Sequence, residues 1–343
     1  MSDIAARAGT TIGVVSVTLN GAKSKTVRVS DATRERVIRA AEELGYRRDP
    51  VASALVTGRS HVIGLMLPYV HSFDVPDPFY SVVTGGVAAV AARHGYNLML
   101  YTSVAEEEAT RAVEVIDRRI DGLILVIPPN ETPIYEECRR QGIATVSITQ
   151  QRQYAPATVN SDDYEGGKLA TEHLISLGHR RIAHLTGRPE IHTSALRFKA
   201  FRDTLAGSGI EFDPNLVKLG GFSREVSRLS TAQWMELPAD RRPTAIFAAN
   251  DLSAHGAIDA ISSAGFRVPG EISVIGYDDT WYASITNPPL TSVSMDIDSL
   301  GRHAAEFLIG TIEGTPQEAH AMLEVSLKIR RSTGPPPNAT YNT

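Results

Sequence analysis

The sequence predicts an α/β protein in which a small all-helical head precedes a core of two lobes built on parallel β-sheets. Three observations predict it. From His61 onward, short β-branched runs alternate with amphipathic helical patterns. The first 60 residues carry helical patterns and no pair of strands. Charge divides at the same place: residues 1–60 hold ten Lys/Arg and six Asp/Glu, and the rest of the chain holds 24 and 33. A basic head on an acidic body fits a protein whose head alone approaches a polyanion. A surplus of four charges is modest, and a solvated helical face would carry as much.

In the head, Ser2 is expected to cap a first helix that buries Ile4, Ala5 and Ala8, with Gly9 as its left-handed stop. Thr11 then caps a second helix in which Val15 and Leu19, four apart, pack back on the first. That leaves Ile12, Gly13, Ser16, Val17 and Asn20 facing outward, with Thr11, Ser16 and Asn20 expected to hold phosphates if the head meets DNA. From Val15 the stretch alternates apolar and polar residues, as a strand would, but its neighbours are helical and no partner strand exists. A third helix, Asp31–Leu44, starts at cap Ser30, buries Val37, Ile38, Ala41 and Leu44, and ends at Gly45. Residues 1–48 therefore describe a helix-turn-helix module.

Residues 49–60 follow as a hinge or a plain linker. Asp49 is a cap, Pro50 suits the first helical position, and Gly58 is a stop. A helix of about two turns is not stable alone in water, so it is expected to order only when something holds it. Leu55 would then serve as an apolar wedge for a DNA base step.

The core, residues 61–330, contains expected strands at Val62–Leu67, Asn97–Tyr101, Gly122–Ile127, Ala144–Ile148, Arg181–Leu185, Thr244–Ala248 and Ile272–Ile275. Expected helices lie at Phe79–His94, Glu106–Arg119, Ile134–Gln141, Tyr164–Leu177, Leu196–Ser208, Arg224–Glu236 and Leu252–Ala264. One sheet of this width would be unusual, and a break near Val159 divides the core in two. Lobe 1 is expected at about 61–158 and 291–320, and lobe 2 at about 159–288 and 321–330. Leu290–Val293, the helix Ile297–Gly314 and a strand Met322–Ile329 complete them, and the Pro-rich tail 331–343 is expected to be disordered.

Several function classes are excluded or weakened. The longest apolar runs are far short of a membrane span, the N-terminus has no signal-peptide pattern, and a membrane partner is not expected. Cys138 is the only cysteine, so there is no internal disulfide and no thiolate metal cluster, and a reducing cytoplasm is the expected location. No phosphate loop, zinc-protease, nucleophile-elbow or dinucleotide motif is present, and no cofactor or catalytic set is expected. His179 reads as structural.

Ligands of open parallel sheets bind beyond the carboxyl ends of the strands. Those positions here carry Asn250-Asp251, Asp278-Asp279, Arg197 and Phe79-Tyr80. Carboxylate, amide and guanidinium groups with an aromatic face suit a hydroxyl-rich ligand. Asp251 is expected to cap the next helix and Asn250 to face the ligand.

These segments together resemble the LacI/GalR family of bacterial transcription regulators across nearly the whole chain. The resemblance is carried by DIAARAG (Asp3–Gly9), VSVTLNG (Val15–Gly21), VSDATRERVIRAAEELGY (Val29–Tyr46), and PVASALVTGRS running into VIGLMLP. It continues in DPFY (Asp77–Tyr80), DGLIL (Asp121–Leu125), GGKLATEHLISLGHRRIAHLTG (Gly166–Gly187), PTAIFAANDLSAHGAIDAI (Pro243–Ile261), VPGEISVIGYDD (Val268–Asp279) and PPLTSV (Pro288–Val293). The resemblance implies a homodimer on double-stranded operator DNA, a hinge helix ordered by that DNA, and a core like a periplasmic sugar-binding protein. It also implies a small effector, a sugar or sugar derivative, between the lobes. By position, Leu55 is the hinge leucine, Arg197, Asn250 and Asp278 are polar effector contacts, and Phe79 and Phe222 are pocket walls.

Departures from the family pattern concentrate in the head. Val14 and Val17 stand where the family usually has threonine and arginine, removing a phosphate contact and a guanidinium. The loop Gly21–Val29 is longer than usual and adds Lys23, Lys25 and Arg28 as phosphate contacts. Family members usually have a few residues before the first helix, and the abrupt Met1-Ser2 is consistent with an upstream start codon. No heptad segment follows the core, so a dimer is expected rather than a tail-assembled tetramer. The reading is a ligand-responsive repressor. The alternative is a sugar-binding sensor with a degenerate head.

Overall fold

The computed structural model describes residues 1–20, 28–47, 49, 53–54, 57–67, 77–101, 116, 119–315 and 318–337. Three helices form the head: α1 (Ser2–Ala8), α2 (Ile12–Asn20) and α3 (Asp31–Glu43). Gly9, at φ 62°, makes the tight turn after α1, and the Thr11 hydroxyl accepts the Val14 N–H at 3.4 Å. Ile4, Ala5, Ala8, Val15, Val37, Ala40 and Ala41 are the buried core of the head. Arg36 Nε donates to Ala8 O and Arg7 pairs with Glu43, so α3 is tied to α1 at two points.

Two details of the head differ from expectation. Ser2 lies inside α1 and its hydroxyl donates to Asp3, leaving no side-chain cap there. Ile38 and Leu44 are exposed, because the inward stripe of α3 runs through Val37, Ala40 and Ala41 at helical spacing.

The core contains two six-stranded sheets. Lobe 1 holds β1 (Val62–Met66), β2 (Asn97–Tyr101), β3 (Gly122–Val126), β4 (Ala144–Ile148), β5 (Thr158–Ser161) and β11 (His320–Leu323). Lobe 2 holds β6 (Ile182–Thr186), β7 (Val217–Leu219), β8 (Ala245–Ala248), β9 (Ser273–Asp278), β10 (Thr291–Ser294) and β12 (Ser326–Lys328). The strand orders are β11-β5-β4-β3-β1-β2 and β12-β10-β9-β8-β6-β7, so both lobes wind identically. Pairing is parallel, with Leu65 opposite Ile124 and Ala245 opposite Ser273, except that β12 runs antiparallel to β10. The central strands are buried along their length, as the uninterrupted apolar run GLILV of β3 requires of a sheet covered on both faces.

The lobe boundaries differ from those expected. Thr291–Ser294, expected in lobe 1, pairs with β9 in lobe 2. The expected strand Met322–Ile329 is two strands, of which β11 pairs with β5 in lobe 1 and β12 with β10 in lobe 2. The chain thus crosses between the lobes at residues 161–163, 294–297 and 323–326. The tail is not disordered from 331: Ser332 is buried, its hydroxyl donates to Val274 O, and Gly334 O accepts from His179. His179 is therefore structural, its other ring nitrogen meeting Thr244 Oγ1 at 2.9 Å. Residues 338–343 lie outside the described residues.

Helices α4 (Pro78–Arg93), α5 (Ile134–Gln141), α6 (Asp163–Ser176), α7 (His192–Gly207), α8 (Arg224–Met235), α9 (Asp251–Ser263), α10 (Trp281–Ile285) and α11 (Ile297–Glu313) cover the sheets. The helix expected at Glu106–Arg119 falls largely outside the described residues. Helices α4 and α11 cross in lobe 1 at Gly86 and Gly301, each directly against the other helix's backbone. Among the described residues no helix is long and apolar enough to cross a membrane.

The linker enters lobe 1 through a compact set of bonds. One carboxylate, Asp121, accepts the Ser60 N–H at 2.7 Å, the Ser60 hydroxyl at 2.8 Å and the His61 N–H at 2.9 Å. Arg59 donates to Ile312 O at the end of α11, at 2.9 Å. The hinge was expected to order only with a partner, yet its described residues carry helical bonds in this structure: Ser53 N to Asp49 O and Gly58 N to Ala54 O. Thr57 Oγ1 adds a bond to Ser53 O, and Gly58 at φ 70° closes the turn. Leu55 lies outside the described residues.

Candidate functional site

Strand order reverses between β3 and β1 in lobe 1, and between β8 and β6 in lobe 2. In open α/β sheets such switch points leave a crevice beyond the strand carboxyl ends. A cavity of about 60 Å³ lies there. Lobe 1 contributes Asp77, Phe79 and Tyr80 after β1, Ile127 after β3 and Thr149 after β4. Lobe 2 contributes Arg188, Ile191, Thr193 and Arg197 after β6, Phe222 after β7, Asn250 and Leu252 at the start of α9, and Asp278 at the end of β9. Met295 joins them from a crossover.

All five effector positions expected from the sequence thus line one cleft. Phe79 and Tyr80 stand edge to face with ring centroids 5.3 Å apart. The Phe222 ring lies directly over Gly187, where a side chain would clash with it. Ile127, Thr149, Phe222 and Asp278 all have positive φ, at 48°, 59°, 58° and 101°. This conformation costs non-glycine residues about 1–3 kcal/mol each, and strain of this kind concentrates at ligand sites.

Arg197 is the structural centre of the cleft. Only 3% exposed, it donates to Asp163 from Nε at 2.8 Å and to Ala249 O from Nη1, and stacks over the Tyr277 ring at 3.5 Å. Asp278 Oδ1 is 3.7 Å from its Nη1. Burial alone would weaken the cation, but Asp163, Tyr277 and Asp278 outweigh it and strengthen its hold on the proton. Burial pushes Asp278 well above the usual carboxylate range, and Arg197 offsets this only in part because Asp251, Asp77 and Asp163 are close. Asp77 is pushed up to about 6 by burial, moderated by the Phe79 N–H it accepts at 2.9 Å.

One expected division of labour holds only in part: Asn250 faces the cleft as expected, but it also takes the capping role expected of Asp251. Asn250 caps α9, its Oδ1 accepting the Ser253 N–H at 2.9 Å while the residue lines the cleft. Asp251 instead is a buried hub that accepts the Ser292 hydroxyl at 2.6 Å and the Thr280 N–H and hydroxyl at 2.8 and 3.1 Å. Burial raises it to about 7 against the hydrogen bonds, which act in the opposite direction. Because the folded chain holds this proton more tightly than the unfolded chain, the stabilisation is full below about pH 4 and lost as pH rises through 7. Asn at this position does not titrate. Differential scanning fluorimetry should show Asp251→Asn gaining on the parent by up to about 1.4 kcal/mol per pH unit across that window. A constant difference from pH 4 to 8 would show that Asp251 stays ionised in the fold.

Sequence reasoning missed Asp163, Asp77, Thr149, Arg188 and Met295. Asp163 reads only as an acidic residue in the first turn of α6, and Arg188 only as a loop charge. Thr149 and Arg188 closely follow expected strands, which was the available signal, whereas Asp163 follows β5, a strand with no apolar run.

In the head, Thr11, Ile12 and Gly13 are exposed, and Ser16 and Val17 are half-buried on α2, a helix with no charged residue. Ile12 is 54% exposed. Arg28 is exposed next to α3. Lys23, Lys25 and the Asn20 side chain lie outside the described residues.

Comparison with known proteins places these features in a family. Residues 1–49 match the family described as bacterial regulatory proteins, lacI family, and residues 171–333 match the periplasmic binding protein-like domain. The HTH-type transcriptional regulator CelR of Thermobifida fusca is 32% identical over 339 residues, 96% of each chain. The ribose operon repressor of Escherichia coli K12 is 32% identical over 340 residues, 97% of this chain and 99% of its own. Among solved structures, a lac repressor dimer bound to operator and the anti-inducer ONPF superposes with a TM-score of 0.81 at 29% identity, over 97% of this chain and 98% of its own. A CelR–cellobiose complex superposes with a TM-score of 0.73 at 30% identity, over 96% and 98%. This chain therefore belongs to the lacI family of bacterial regulatory proteins and is a DNA-binding transcriptional regulator with a periplasmic-binding-protein-like core.

Proposed function

We propose that the protein is a repressor that binds a near-palindromic operator as a homodimer and responds to a sugar or sugar derivative held between its lobes. One observation carries this reading: Arg197, Asn250 and Asp278 meet Phe79 and Phe222 at a single interlobe cleft. Planar polar groups beside aromatic faces are what a hydroxyl-rich ring requires. Relatives of this architecture include the cellobiose complex of CelR and a lacI-family regulator from Enterococcus faecium with bound ribose.

Dimerisation places two α2 helices in successive major grooves. Ile12, Gly13 and Val17 face the bases there, and Thr11, Ser16, Asn20, Lys23, Lys25 and Arg28 meet the phosphates. Ile12 and Val17 offer apolar contact to thymine methyls and no hydrogen bond to guanine. Leu55 opens the central minor-groove step. Effector binding changes the relation between the lobes, and with it the spacing of the two hinges on DNA.

Leu55→Ala removes three carbons from the wedge, at about 0.8 kcal/mol each. Fluorescence anisotropy on a selected operator should show at least roughly tenfold weaker binding, with sugar-induced thermal stabilisation unchanged. Unaltered operator affinity would remove Leu55 from the DNA. The charge-free α2 favours one second reading, a sugar sensor whose head no longer reads DNA. A salt series separates the two, because sequence-specific binding with a steep salt slope belongs to the repressor.

A further inference from the structure

Two guanidinium groups line the cleft, and their surroundings differ. Arg197 is matched by the Asp163 carboxylate behind the cleft and faces Asp278 at 3.7 Å. Among the described residues Arg188 makes one ion pair, with Glu190 at 3.8 Å, whose side chain is half exposed and therefore screened by solvent. The Arg188 Nε is buried and has no hydrogen-bond partner among the described residues. A charged N–H withdrawn from water without an acceptor is costly, and the geometry that keeps it so must be completed by something else.

Arg188 sits in the loop between β6 and α7, two residues after the strand end and at the edge of the same cavity as Phe79, Asn250 and Asp278. Across that cavity, in lobe 1, Thr149 holds a buried hydroxyl that also lacks a partner among the described residues. The Nε side of a guanidinium presents two parallel N–H groups, which match the two oxygens of a carboxylate or phosphate. A neutral hydroxyl would meet one of them and leave the charge unmatched. Asp77, Asn250 and Asp278 are acceptors suited to the hydroxyls of the same ligand.

We propose that the effector is an acidic sugar derivative, a polyol bearing a carboxylate or phosphate, with its anionic group held by Arg188. This rests on the reading of the cleft as a sugar site and names the charge class within it. The test is titration calorimetry with matched ligands: D-glucose and D-galactose, the corresponding uronates, and the corresponding monophosphates. Each is titrated into the parent protein, Arg188→Gln and Arg188→Lys, with folding of each checked by circular dichroism.

One acidic ligand is expected to bind at least about tenfold tighter than its neutral parent. Arg188→Gln should abolish that advantage, and Arg188→Lys, which keeps charge but loses the fork, should retain part of it. Whether the uronate or the phosphate shows the advantage identifies the anionic group. Equal or tighter binding of the neutral sugars overturns the assignment of Arg188 and leaves the sugar site standing. An acid preference that survives in Arg188→Gln overturns the role of Arg188 itself. Binding of no ligand from any of the three classes by the folded protein counts against the sugar site, and the proposal falls with it.

Discussion

Arg197→Met should abolish sugar-induced stabilisation and destabilise the fold by about 3–5 kcal/mol, the usual range for removing one partner of a buried ion pair. The large cost follows from what Arg197 leaves behind. Asp163 is 2% exposed and meets Arg197 at 2.7–2.8 Å from two nitrogens, and Ala249 O loses its donor. Asp278 loses the one neighbour that favours its charged form. Adding Asp163→Asn neutralises the carboxylate left unpaired, so the double variant should regain part of the stability. It should not regain the response to sugar, because the guanidinium facing the cleft is still missing. Thermal unfolding with and without ligand reads both quantities. A sugar-dependent shift preserved in either variant would show that Arg197 supports the cleft without touching the ligand.

The second large effect concerns two adjacent glycines of α4 with opposite predicted signs. Gly85 faces open space, and a methyl group there meets nothing within 4 Å. Gly85→Ala should therefore stabilise by about 0.5–1 kcal/mol, the helix-propensity gain of alanine over glycine. At Gly86 the same methyl would press into Asp298 O and lie 3.2 Å from Arg302 N, both backbone atoms of α11. Backbone held in a packed helix cannot move aside as a flexible side chain can, so overpacking of about 1–3 kcal/mol or more overrides the propensity gain. Gly86→Ala should lower the thermal midpoint where Gly85→Ala raises it. Two shifts of the same sign would mean that α11 is free to move away from α4.

Much of the fold was legible because local pattern and global topology agree. Gly122–Val126 is an apolar run and Ala144–Ile148 an alternation rich in β-branched residues, both of ordinary strand length, and glycines after helices mark the turns. β5 and β7 escaped notice because TVNS and VKL are short and carry no apolar run. Lobe membership escaped for a different reason. Thr291–Ser294 pairs with a strand just before it in sequence, whereas His320–Leu323 pairs with Thr158–Ser161, more than a hundred residues away. Nothing local distinguishes those two cases. In the cleft, Asn250 and Asp278 stood out because each lies at or just after a strand end, and Arg197 because it begins the helical pattern that follows the loop after β6. Asp163 and Arg188 matter through what they oppose in space, a relation that no single stretch of sequence displays.

The linker bonds at Asp121 and Ile312 have a consequence for how such a molecule can be altered. Arg59, Ser60 and His61 are fastened to lobe 1, while Arg188, Arg197, Phe222, Asn250 and Asp278 belong to lobe 2. Under the proposed function, the effector is then read mainly by one half of the core, and the output shaft is bolted to the other. Loops of lobe 2 can be exchanged to retune what is sensed while the transmission stays as built. Changes at Asp121 would do the reverse, loosening the transmission in a receptor that still recognises its signal.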